Sequence, residues 1–151
     1  MNRIEVQAEE VSLPPWTDAV NRFMLKVLDC LQRDTWDLSV VFCGDAYIRS
    51  LNARFRAKDE PTDVLSFALG ETIQEAGETR YVPGDIVISL ETLKENARYF
   101  QVSEDEELRR LLIHGILHLD GWDHGTNADH EPMLQFQERL MADLAGERIL
   151  P

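Results

Sequence analysis

Apolar and polar residues alternate through RIEVQAE near the start of the chain, the period-two pattern of a strand, and Ser12-Leu13-Pro14-Pro15 closes it. The period then changes. Trp16, Val20, Phe23, Met24, Val27, Leu28 and Leu31 recur at the spacing of one helix face, which predicts an amphipathic core helix. Trp36 to Cys43 is β-branched and apolar and predicts a strand, and Asp45 can cap a short helix with an apolar stripe of Ile48, Leu51 and Phe55. Arg56 to Thr62 reads as a charged loop containing Pro61. DVLSFAL at Asp63–Leu69 and GDIVISL at Gly84–Leu90 are two further predicted strands. Between them, Gly70–Arg80 offers Ile73 as its one large apolar residue, with Glu71, Glu75 and Glu78, and is expected to be a mobile loop.

ETLKENARYF continues as a helix. At Ser103-Glu104-Asp105-Glu106 the S-x-x-E spacing is a capping box, with acidic residues at the positive end of the helix dipole. The helix it opens runs through LRRLLIHGILHLD and should stop at Gly121, which can take the left-handed conformation of a helix end. So little of its surface is polar that it should be buried nearly all round. Met133, Phe136, Leu140, Met141 and Leu144 predict a last amphipathic helix. No repeat or linker interrupts the chain. The expected fold is α+β, one domain over residues 1–151, with a small mixed sheet packed against helices.

Composition adds limits. A chain of 151 residues can bury about 68–70% of its unfolded surface, and 44% hydrophobic with 28% charged residues is ordinary for a globular protein. The opening MNRIEVQAEE has no apolar core of a secretory signal and no apolar run could span a bilayer, so a cytoplasmic address without a membrane partner is expected. Cys30 and Cys43, with no C-x-x-C pairing, are expected to be two buried reduced thiols. Against 28 acidic residues stand 15 basic ones, a formal charge of −13. Nucleic-acid affinity comes largely from Lys and Arg, so any RNA contact must use a local basic patch.

The chemistry concentrates in HGILHLDGWDH, His114 to His124, which holds three of the four histidines. His114 and His118 are four residues apart and share one helix face, so both imidazoles can reach one ion. His124 follows Gly121, where the chain can turn back and bring a third nitrogen to the same point. Zinc suits imidazole, and three protein ligands leave a fourth position for a water whose pKa the ion can lower to about 7. Nickel and copper also favour imidazole. A closed structural site would need a fourth ligand, locally His130 or Asp129, and His130 is expected instead to be exposed at the start of the last helix. The H-E-x-x-H metallopeptidase helix has a similar spacing, but Gly115 stands where its glutamate base would be. Asp63, Asp85, Asp120 and Asp123 are the carboxylates that could serve as base or orient a ligand, and sequence does not choose among them.

HGILHLDGWDH resembles the H-G-x-L-H-L-x-G-[YW]-D-H signature of the YbeY family, bacterial zinc-dependent endoribonucleases of ribosomal RNA processing. LNARFRAKDEPTDVLSFAL at Leu51–Leu69 resembles that family's R-x-x-[DN]-x-P-T-[DN]-V-L-S-F stretch, and GDIVIS at Gly84–Ser89 resembles a third block. The resemblance implies a zincin-like metal-binding helix, one zinc held by His114, His118 and His124 with water as the remaining ligand, and Arg56 in the active cleft as a catalytic group. It implies cleavage of single-stranded RNA near the 3′ end of small-subunit (16S) ribosomal RNA and a role in ribosome quality control. The ribosome, and other ribosome-associated proteins, would be partners. Trp122 stands where Tyr is frequent in the family, and the segment between Gly70 and Tyr81 is lengthy and acidic.

A guanidinium at Arg56 could hold a phosphate bidentately and stabilise charge that builds up during displacement. Arg49, Arg54, Arg56 and Lys58 could form the local patch, with Asp59 and Glu60 offsetting it. Two rival functions share the metal helix: a zincin-like metallopeptidase, which lacks its base here, and a non-enzymatic zinc-stabilised ribosome-binding module.

Overall fold

A computed structural model describes residues 1–151. Four strands, β1 (Arg3–Ala8), β2 (Asp37–Cys43), β3 (Val64–Glu75) and β4 (Glu78–Ser89), form one sheet in the order β1-β2-β4-β3. β1 pairs with β2 and β2 with β4 in parallel, whereas β3 and β4 are antiparallel, so the sheet is mixed, as expected. Five helices accompany it: α1 (Thr17–Cys30), α2 (Asp45–Arg56), α3 (Leu90–Phe100), α4 (Glu104–Leu119) and α5 (Pro132–Asp143).

Strand alternation divides the sheet into two faces. Leu38, Val40 and Phe42 of β2 and Ile86 and Ile88 of β4 point into a core completed by α1, α4, α5 and Leu93 of α3. The intervening Cys43 and Val87 join Ile48 of α2 and Leu65 in a smaller cluster on the other face. α4 lies in the larger core, with Leu108, Leu112, Ile113, Ile116 and Leu117 inaccessible to solvent, as its sequence predicts. Its close approach to the sheet depends on Gly115. A Cβ there would come within 2.9 Å of the Ile86 side chain, so the helix rests directly on β4. The Ser103 hydroxyl accepts from the Glu106 amide at 3.0 Å, forming half of the capping box; Glu106 turns instead to Arg110 at 3.0 Å.

Three expectations are corrected. Gly70–Arg80 is not a mobile loop but the distal part of the β3–β4 hairpin, paired from Glu71↔Val82 to Glu75↔Glu78. Its two-residue turn, Ala76-Gly77, has φ of 51° and 80°, the left-handed pair of a type I′ turn. The hairpin is legible only in part because most of its outer β3 residues are exposed, which removes the apolar alternation that marks a half-buried strand. One residue of that segment, Arg80, is buried and pairs with Asp37 at 2.7 Å and with Glu78, while donating to the Met1 carbonyl at 2.8 Å. Asp45 is the first residue of α2 rather than its cap; Glu91 takes the capping role by accepting from the Asp45 amide at 3.0 Å, and Asp45 accepts from Ser89 and Thr92. Cys30 is exposed at the end of α1, and Cys43 alone is a buried thiol, which desolvation pushes up to about 12.

Asp105 ties the C-terminal tail to α4. Its carboxylate accepts from the Ile149 and Leu150 amides at 2.7 and 2.8 Å and pairs with Arg109 at 2.9 Å. Burial alone would raise its pKa, but these donors outweigh it and hold the carboxyl below its ordinary value. Replacing Asp105 with Ala is expected to lower unfolding free energy by about 3 kcal/mol, measured by urea denaturation at pH 7. Because the folded carboxyl titrates below its unfolded value, its contribution is complete above about pH 4 and is lost as pH falls through the lowered value. Variant and parent should therefore converge in acid.

Candidate metal centre

His114 and His118 sit in the last two turns of α4, facing Val64, Ser66 and Ala68 of β3 across a cleft. A Schellman motif ends the helix: the Trp122 amide donates to the Leu117 carbonyl at 3.0 Å and the Gly121 amide to the His118 carbonyl at 3.1 Å, with Gly121 at φ 96°. That reversal returns the chain along the helix it has just left. His124 then lies beside the other two, with ring centroids 5.3 Å from His114 and 5.5 Å from His118, while His114 and His118 are 4.6 Å apart.

The ligand-capable atoms of the three rings all fall within 4.8 Å of one another. Two of the rings are oriented by partners on their far nitrogen. His114 Nδ1 meets Gln137 Oε1 at 2.7 Å, and His124 Nδ1 meets the Thr126 carbonyl at 2.8 Å. Both partners are acceptors, so each Nδ1 carries the proton and each Nε2 presents its lone pair inward. His114 Nε2 and His118 Nε2 are 3.1 Å apart. Two nitrogens bound tetrahedrally to one zinc would stand roughly 3.3–3.4 Å apart, so the spacing fits a divalent ion of that size. Burial holds the pKa of His114 below its ordinary value, and burial together with the neighbouring His114 and His124 does the same for His118. Neutral imidazole is the form a metal needs. These three residues could hold a metal ion.

The cluster opens on a cleft of about 470 Å³ lined by Arg56, Val64, Ser66, His114, His118 and Asp123, among others. A larger concavity, about 790 Å³, lies on the opposite sheet face and contains no histidine. The nitrogen donors make the smaller cleft the candidate site. Arg56, the last residue of α2, reaches the cleft and donates from Nη2 to the Ser66 carbonyl at 2.9 Å. Of the four carboxylates left open by the sequence, Asp123 lines the cleft. Asp63 is held by Asn96 and the Val64 amide, Asp120 pairs with Arg33, and Asp85 faces the other concavity. Asp129 and His130 are exposed in the turn before α5 and stand outside the cluster.

A model of the YbeY family, described as endoribonuclease YbeY, matches residues 3–145. The chain belongs to the YbeY family. Among its YbeY relatives, the protein of Treponema denticola is 53% identical over 123 residues, covering 81% of this chain and 79% of the relative. That of Treponema pallidum (strain Nichols) is 48% identical over 143 residues, covering 94% and 89%, and that of Borrelia turicatae 43% over 142 residues, covering 93% of each. The solution structure of a Thermotoga maritima protein superposes with a TM-score of 0.59 at 29% identity, covering 95% of this chain and 90% of that one.

Gln137 escaped the reading of residue types. Its signal is positional: it falls between Met133 and Leu140 on the buried stripe of α5, where a polar side chain needs a partner. Its own amide nitrogen donates to Glu138 at 3.2 Å, and Arg110 grips that carboxylate from two nitrogens at 2.9 and 3.0 Å. The chain Arg110–Glu138–Gln137 thus turns the amide oxygen toward His114. Replacing Gln137 with Leu is expected to weaken divalent-metal affinity about 10–100-fold with circular dichroism unchanged, measured by competition with a chromophoric chelator, whereas Gln137→Glu should preserve it.

Proposed function

We propose that this chain is a zinc-dependent endoribonuclease that cleaves single-stranded RNA and acts in maturation of the 3′ end of small-subunit ribosomal RNA, in the cytoplasm and in association with the ribosome. The observation that carries this reading is the convergence of three imidazoles, two of which line one cleft with Arg56, in a chain whose relatives are named endoribonucleases. His114, His118 and His124 would hold the ion. A divalent cation there would supply Lewis-acid chemistry, acidifying water and drawing charge from a phosphoryl oxygen.

The rest falls to the chain's own groups. Arg56 uses one amino nitrogen on the Ser66 carbonyl, which fixes the guanidinium at the cleft while its remaining N–H donors stay free for a phosphate. Such a fixed donor stabilises charge that grows in the transition state. Asp123 lines the cleft with Oδ1 accepting from the His124 amide at 2.8 Å, and its Oδ2 would accept a proton from the attacking oxygen.

Two alternatives are weakened by particular contacts. A peptidase base at position 115 is sterically barred, because any side chain there meets Ile86. A closed structural site would recruit a fourth protein ligand, and neither Asp129 nor His130 joins the cluster.

Chelation or His118→Ala should abolish cleavage of a single-stranded RNA, with zinc restoring the chelated sample, and Arg56→Ala should lower kcat/KM by about 10²–10³-fold. Cleavage that persists in chelator would overturn the reading. With a charge of −13, the protein should also cut free RNA more slowly than ribosome-bound RNA; equal rates measured side by side would remove the ribosome from the account.

A further inference from the structure

Phe55 is out of place by its own sequence pattern. It completes the apolar stripe of α2 with Ile48 and Leu51, yet Ile48 is fully buried while the Phe55 residue remains 54% exposed. The ring is nevertheless held in position. Phe67 of β3 supports it edge to face, with centroids 5.4 Å apart and planes at 68°. The Arg54 guanidinium carbon lies 5.7 Å from the Phe55 ring centre, and that of Arg56 lies 5.5 Å from Phe67. Aromatic and cationic groups therefore interleave along the end of α2, beginning at the group that lines the histidine cleft.

A short run of free cations lies at the same place. In a molecule of net charge −13, Arg54, Arg56 and Lys58 are all exposed, and none of them enters an ion pair. Arg49, by contrast, is taken up by Asp59 through two nitrogens at 2.9 and 3.3 Å, so the patch expected from sequence is reduced to three cations. Flat apolar rings fixed between free cations match a single polynucleotide strand, which carries bases with π faces on a backbone of phosphates. A folded duplex would keep its bases stacked on one another and offer none to the ring.

We propose that Phe55, backed by Phe67 and flanked by Arg54, is a nucleobase-stacking subsite on which one base of a single-stranded RNA rests while a neighbouring phosphate meets Arg56. This rests on the endoribonuclease reading and extends it: past Arg56 at the cleft, the strand crosses the β3 edge to the larger concavity on the other sheet face, which Phe55 and Phe67 line. The subsite accepts any base, because stacking uses the π face and not the hydrogen-bonding edge. It therefore contributes to affinity more than to sequence choice.

The test is binding of a short fluorescent single-stranded RNA to the full chain in chelator, followed by anisotropy, with folding verified by circular dichroism. Phe55→Ala should weaken binding about 5–100-fold, and Phe55→Trp should restore it. Moving a single abasic nucleotide along the RNA should find one position that weakens binding to the parent and has no effect on Phe55→Ala. If the parent binds no RNA, the functional reading fails together with the subsite. If the parent binds and Phe55→Ala binds equally well, the subsite alone is overturned. If Phe55→Ala weakens binding but no abasic position is silenced by it, the ring acts through α2 and not through a base, and the proposal is likewise overturned.

Discussion

The seating of α4 on β4 sets the geometry of everything else. With hydrogen in place of a side chain at Gly115, the helix settles against Ile86, and that contact fixes its rotation about its own axis. Residues one position before and three after the contact are then committed to the flank beside β3, which is where His114 and His118 meet the cleft. Glycine inside a helix costs about 1 kcal/mol relative to alanine. The apolar burial it permits along α4, with Leu112, Ile113 and Ile116 at zero exposure, far exceeds that cost. The same contact leaves no room for a peptidase base beside the first histidine.

Electrostatics divides the molecule into two regimes. Inside, Asp105 is held by Arg109 and two amides and Arg80 by Asp37, whereas Glu107, buried without such a partner, has its carboxyl pushed above its ordinary value by desolvation. Burial keeps His114 and His118 neutral, which suits them to a cation and not to one another's proton. Outside, acidic residues prevail, and the few free cations near the cleft stand out against them. Such a surface repels polyanions in general, which favours selectivity over raw affinity.

Positioning of the ligands depends on α5 as much as on α4. Gln137 holds one imidazole, and its own orientation is passed down from Arg110 through Glu138, so a salt bridge on the outside of the helix pair determines the tautomer of a ring at the centre. The loop carrying His124 is pinned to the same helix by Trp122 against Phe136, with centroids 5.0 Å apart, and by Thr126 to Glu131 at 3.0 Å. Loosening α5 would loosen two of the three rings together.

Local chemistry written in one stretch of chain was legible in the sequence. The helix periods of α1 and α5, the capping serine of α4, its stop at Gly121 and the spacing of the histidines depend on residues within a few turns of one another, and they appear as expected. What needed the tertiary structure were properties set by distant partners. Which of four aspartates faces the cleft, why Gln137 matters, and that Phe55 lies outside the core are each decided by elements remote in sequence, whereas the local pairing of Gly70–Arg80 was hidden by the exposure of its residues. Periodicity records which face of an element is apolar; it does not record what that face meets, and the meeting is where a buried amide becomes a tether and an apolar ring becomes a surface.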